Sequence, residues 1–135
     1  MLTYLIASFA GGVIFVLLDF VINANPLAQR LNEPYKPIAR KRMHLAAAIV
    51  IDVLSSFTMA GIFLLLRPAF PGSKIVGAGV SFGSMAWFFR VLMGSLSQWI
   101  MFELPLTTHL YSIAAGLVEM VALGLFYAAV FTSFP

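Results

Sequence analysis

Of the 135 residues, 61% are hydrophobic and 10% charged, with a mean hydropathy of +1.00, whereas a soluble domain carries charge on about a quarter of its residues. The chain therefore reads as an all-α integral membrane protein with a single transmembrane domain, since four apolar runs and short connections use nearly the whole length and leave no room for a separate catalytic module. The lack of cysteine excludes disulfides, thiolate chemistry, iron–sulfur clusters and Cys-based zinc sites, and the net charge of +3 is concentrated beside one span, which points to a membrane surface and away from nucleic acid.

The first run, residues 2–24, lacks the charged n-region of a secretory signal and is longer than a typical h-region, so a retained span is expected. Ser8, Gly12, Phe15, Asp19 and Asn23 recur at spacings of three and four and should face the bundle interior. Asn25 followed by Pro26 is a helix-start signature that predicts a short surface helix through Leu31, which Pro34 and Pro37 then prevent from continuing. This connection holds Arg30, Lys36, Arg40, Lys41 and Arg42, five of the eight basic residues. By the positive-inside rule the 25–42 connection is cytoplasmic, with both termini and the 67–74 connection on the other side. The same five residues could attract anionic headgroups at about 1 kcal/mol each, although a topology signal alone accounts for them.

The second span covers 43–66, with His44, Ala48, Asp52, Ser55 and Met59 as its small and polar stripe. Arg67, Pro68, Pro71 and Gly72 form the outer turn. In the third span, 75–102, Gly79 and Gly83 make a small-xxx-small pair that admits another backbone, and helical spacing continues this face through Ala86, Arg90, Gly94 and Ser97. A short turn at 103–105 leads to the fourth span, 106–131, whose inward face reads His109, Ser112, Gly116, Glu119 and Leu123. An antiparallel four-helix bundle is the expected architecture.

An ionisable side chain at mid-membrane costs about 2.5 to 3.5 kcal/mol on insertion scales, so it is paired, hydrated or functional. Rises of 1.5 Å per residue from the cytoplasmic ends put Arg90 and Glu119 at about 20 Å and Asp19 and Asp52 at about 10 Å. Depth thus pairs Arg90 with Glu119 and sets two repelling aspartates side by side. The plain reading is a structural ion pair that fixes register; the sharper one is a proton relay or polar-solute path through Arg90, Glu119, Asp19 and Asp52. The two halves show no convincing repeat, which argues against an inverted-repeat transporter. His44 and His109 open two spans at the same end and could ligate haem or pigment magnesium, but their interfacial position favours bonds to headgroups or loop carbonyls. There is no HExxH motif, and Ser55, Ser56 and Ser112 lack a nucleophile-elbow context.

The second half, through Gly79, Phe82 and Gly83, then Leu104 and Pro105, then Val118, Glu119, Gly124 and Tyr127, resembles a pattern in uncharacterised small four-span bacterial inner-membrane proteins. That resemblance implies a four-helix bundle with Arg90 and Glu119 in a shared interior, and it implies no activity. The expected role is non-enzymatic: an accessory or scaffolding subunit of the cell inner membrane, surrounded by lipids and docked on other membrane subunits or on a second copy. The alternatives are a small proton-coupled or polar-solute transporter and a haem or pigment carrier. No resident cofactor or metal is expected.

Overall fold

The computed structural model describes residues 1–39, 44–70 and 74–134. It contains five helices: α1 (Leu2–Ala24), α2 (Pro26–Leu31), α3 (Leu45–Leu66), α4 (Ile75–Met101) and α5 (Leu106–Ser133). There is no strand among the described residues, and α1, α3, α4 and α5 are each long and apolar enough to cross a bilayer. The expected start of the second span at Met43, the outer-turn residues Pro71 and Gly72, and the basic residues Arg40, Lys41 and Arg42 lie outside the described residues. Helix α5 runs two residues past the expected 131, because Thr132 and Ser133 do not break a helix. Phe134 leaves helical geometry, with φ −129° and ψ 78°.

Asn25 ends α1 and starts α2. Its Oδ1 accepts a hydrogen bond from the Ala28 backbone N–H at 2.8 Å, Pro26 occupies the first helical position, and its Nδ2 donates to the Tyr111 hydroxyl at 2.8 Å. Tyr111 donates in turn to the Ile22 carbonyl at 2.7 Å, and Thr108 to the Leu31 carbonyl at 2.6 Å. These bonds fold α2 under the first turns of α5 and bury Ala28 completely.

The long helices form two antiparallel pairs, α1 with α3 and α4 with α5, joined by α1 packing along α5. Apolar attraction between helices is weak in lipid, so close approach and polar contacts decide which pairs hold. Along α4 and α5 the backbones touch. A methyl group at Gly79 would lie 2.7 Å from Leu125 Cα, one at Gly83 2.6 Å from Val121 Cα, and one at Gly124 would collide with the Gly79 carbonyl oxygen. Across the middle of the bundle, Ser56 Oγ donates to the Ser8 carbonyl at 2.7 Å and shares a 2.7 Å bond with the Tyr127 hydroxyl, tying α1, α3 and α5 together. Phe63, Phe82, Tyr127 and Phe131 fill the end opposite α2, with Phe63 edge-on to Phe82 at 5.2 Å. Away from those two rings, α3 and α4 part from each other.

Two stripes differ from expectation. On α3 the buried hydroxyl is Ser56, not Ser55, because Gly11 leaves room for Ser56 where α1 and α5 converge. On α4 the seam expected through Arg90, Gly94 and Ser97 is replaced by Trp87, Val91 and Ser95. Trp87 Nε1 donates to the Ile113 carbonyl at 2.8 Å, Val91 fills the space over Gly116, and Ser95 is buried, whereas a methyl group at Gly94 would meet no neighbouring atom within 4 Å. The cause is a π-helical turn over Phe88–Leu92. Its wider turn under-rotates the residues that follow, so contacts recur every four residues from Gly79 to Ser95 and Arg90 is carried off the seam.

Gly124→Ala should lower stability by about 1 to 3 kcal/mol through overpacking against α4. Gly94→Ala, in open space, should leave it unchanged. Thermal unfolding of both variants in one detergent checks this, and equal midpoints would contradict the backbone contact.

Candidate functional site

The register between helices follows from their fixed contacts. Asn25 meets Tyr111 at one end of the α1–α5 pair and Gly11 meets Tyr127 at the other, which sets Asp19 level with Glu119. Gly12 against Val53 sets Asp52 level with Val13 of the antiparallel α1, roughly six residues before Asp19 and about 9 Å from it along the axis. Asp19 is therefore level with Glu119, which helix ends do not predict, and it also lies near Asp52 as expected, the two lining one cavity between α1 and α3. Counting from helix ends fails because the first turns of α5 extend alongside α2, so Glu119 is shallower than its distance from Leu106 implies.

Arg90 does not pair directly with Glu119. Among the described residues the only ion pair within 4.0 Å is Lys36–Glu33, and Arg90 donates no hydrogen bond. Its guanidinium lies instead over the Phe15 ring of α1, 4.4 Å from the centroid. The π-helical turn points Arg90 away from α5, and the face of a buried aromatic ring is the attractive surface within its reach. Glu119 is buried, and its Oε1 has no hydrogen-bond partner. Asp19 and Asp52 are half-buried and line a cavity of about 250 Å³ between α1 and α3, where Asn23 Nδ2 donates to Asp19 Oδ1 at 2.9 Å. Asp52 and Glu119 lie within electrostatic reach of each other and of both Asp19 and Arg90. Glu119 is thus buried, Asp19 and Asp52 are half-buried and Arg90 is exposed, with no direct contact between Arg90 and a carboxylate among the described residues.

A second, larger cavity of about 660 Å³ opens sideways between α3 and α4. Leu54, Met59, Phe82, Met85 and Phe89 give it apolar walls, and Arg90 lies at one end. Arg90, expected in the closed interior, therefore also faces this cleft.

The other predicted residues fall in different places. Gly79, Gly83 and Gly116 are packing positions against α5 backbone and Val91. Arg30 and Lys36 are exposed. Lys36 donates to Glu33 at 2.8 Å and holds that carboxyl below its ordinary value, so the pair is intact at neutral pH and opens as pH falls through the lowered value. His44 is exposed just before α3, whereas His109 is buried near α2 with Nε2 unpartnered, and neither lines the two cavities. No group of three or more His, Cys, Asp or Glu side chains among the described residues is placed to hold a metal ion.

Sequence reasoning missed Phe15 as the platform for Arg90, Tyr127 as the partner of Ser56, and the Asn25–Tyr111 latch. Tyr127 was within reach: it continues the α5 face of Gly116, Glu119 and Leu123 by one more turn. No protein-family model, curated protein or solved structure matches the chain.

Arg90 is the only cation of this group, so Arg90→Leu should destabilise the bundle by about 1 to 3 kcal/mol by leaving the carboxylates uncompensated. Glu119→Gln, which removes a like charge and keeps the shape, should not destabilise it. Thermal unfolding of the two variants decides, and a loss in Glu119→Gln equal to that in Arg90→Leu would restore the direct pair.

Proposed function

We propose that this protein is a non-enzymatic accessory or scaffolding subunit of a larger membrane complex. It would sit in the cell inner membrane with the 25–42 connection cytoplasmic and both ends on the opposite side. The observation that carries this reading is the unclosed bundle. Three helix pairs are held by backbone contact or buried hydrogen bonds, while α3 and α4 diverge below Phe63 and Phe82 and leave an apolar cleft open to the side. The polar side chains that the fold does hold serve packing: Ser56 and Tyr127 tie helices, Trp87 bonds across the α4–α5 seam, and Asn25 latches a connection.

A second reading, a small proton-coupled or polar-solute transporter, is favoured by one observation. Glu119 has a buried, unpartnered oxygen within electrostatic reach of two aspartates that line a cavity toward the α2 end. These are the parts of a proton path.

Gentle solubilisation followed by native mass measurement separates the readings. The subunit reading predicts a particle heavier than multiples of the 14.7 kDa chain, with other membrane proteins present in fixed ratio. Particles of this chain alone, with flux in vesicles that Glu119→Gln abolishes, would replace it with the transporter.

A further inference from the structure

We infer that the α3–α4 cleft receives a membrane-spanning helix of a second, different protein, and that this helix brings an Asp or Glu side chain to Arg90. The inference rests on the subunit reading and names its partner. The cleft runs along α3 from Ile51 to Ile62, about 16 Å or three helical turns, and along α4 from Phe82 to Arg90. Its walls are apolar, as a helix flank in lipid requires, and its single charge is the guanidinium at one end.

Charge identifies the occupant. Arg90 has no carboxylate within 4.0 Å among the described residues, and its Cζ lies over the Phe15 ring. Arg90 donates no hydrogen bond among the described residues, so the planar fork of its N–H donors is available for a carboxylate. Asp52 and Glu119 lie within electrostatic reach of Arg90 but neither contacts it, so its donors at the cleft lack an acceptor in a medium where unmet charge is costly, and a carboxylate on the incoming helix supplies one.

Depth and composition rule out the other sources of negative charge. Arg90 is nine residues from Trp99, an exposed indole suited to the membrane interface, so it lies about 13 Å deeper than the headgroup level. A lipid phosphate or fatty-acid carboxylate would have to leave that level to reach it. A second copy of this chain also fails. Its acidic residues are Asp19, Glu33, Asp52, Glu103 and Glu119. Glu33 and Glu103 are in connections, Glu119 is buried, and Asp19 and Asp52 face the α1–α3 cavity. None is presented outward at the depth of Arg90.

The test is photo-crosslinking of the full chain in its own membrane, with the photoreactive residue at Thr58 inside the cleft or at Val118 on an exposed face of α5. The expected adduct from Thr58 maps to a membrane-spanning peptide of another protein that contains an Asp or Glu. Changing that residue to Asn or Gln should lower the yield at least tenfold while leaving this chain untouched. Arg90→Leu should do the same, and Arg90→Lys should keep most of the yield. Thr58 adducts only to lipid, only to a second copy, or insensitive to the partner carboxylate would overturn the inference, as would no Thr58 adduct at all. If Val118 captures a protein and Thr58 does not, the subunit reading stands and the cleft assignment falls. If neither does and the native particle holds this chain alone, both fall.

Discussion

The backbone contact between α4 and α5 is the constraint from which the remaining arrangement follows. Helices in lipid gain little from apolar burial, so they settle where their surfaces approach most closely. Here that happens at Gly79, Gly83 and Gly124, which admit the opposite backbone with no side chain between. A straight α-helix could not keep that seam for its full length, because contacts every four residues drift round the helix. The π-helical turn at Phe88–Leu92 removes the drift. Its consequence is the position of Arg90, which is turned toward α1 and the cleft and away from the helix that carries Glu119.

One half of the molecule is therefore closed and the other open. Helix α5 is its axis, with the largest share of buried residues, held on one side by glycines and on the other by Tyr127, Ser56 and the Asn25–Tyr111 latch. Helix α3 is anchored through α1 and leans away from α4. Function on this account follows from the asymmetry: the closed half buries Glu119, and the open half exposes Arg90 and the apolar flank along which another helix can lie.

Much of the fold is legible from residues alone. Apolar run length fixes the four long helices to within about two residues at the described ends, Asn25–Pro26 marks the short helix, and Gly79 and Gly83 mark a close approach. The α5 stripe of His109, Gly116, Glu119 and Leu123 is buried as its spacing implies. The site is less legible for two reasons. A π-helical turn has no side-chain signature, so the phase of α4 beyond Phe88 could not be read, and Arg90 was assigned to the wrong seam. Helix ends also do not share one plane, so depth counted from them misplaced Glu119 relative to Asp19.

The orientation of Arg90 is the central claim, and the cysteine-free chain allows it to be measured directly. Oxidative crosslinking in membranes compares two double variants, Val91→Cys with Gly116→Cys and Arg90→Cys with Gly116→Cys. A β-carbon at Gly116 would stand 3.2 Å from Val91 Cβ, close to the separation that a disulfide spans. The account predicts an intramolecular bond in the first pair and little in the second. Efficient bonding of the second pair with none in the first would place Arg90 back on the α5 seam and contradict it.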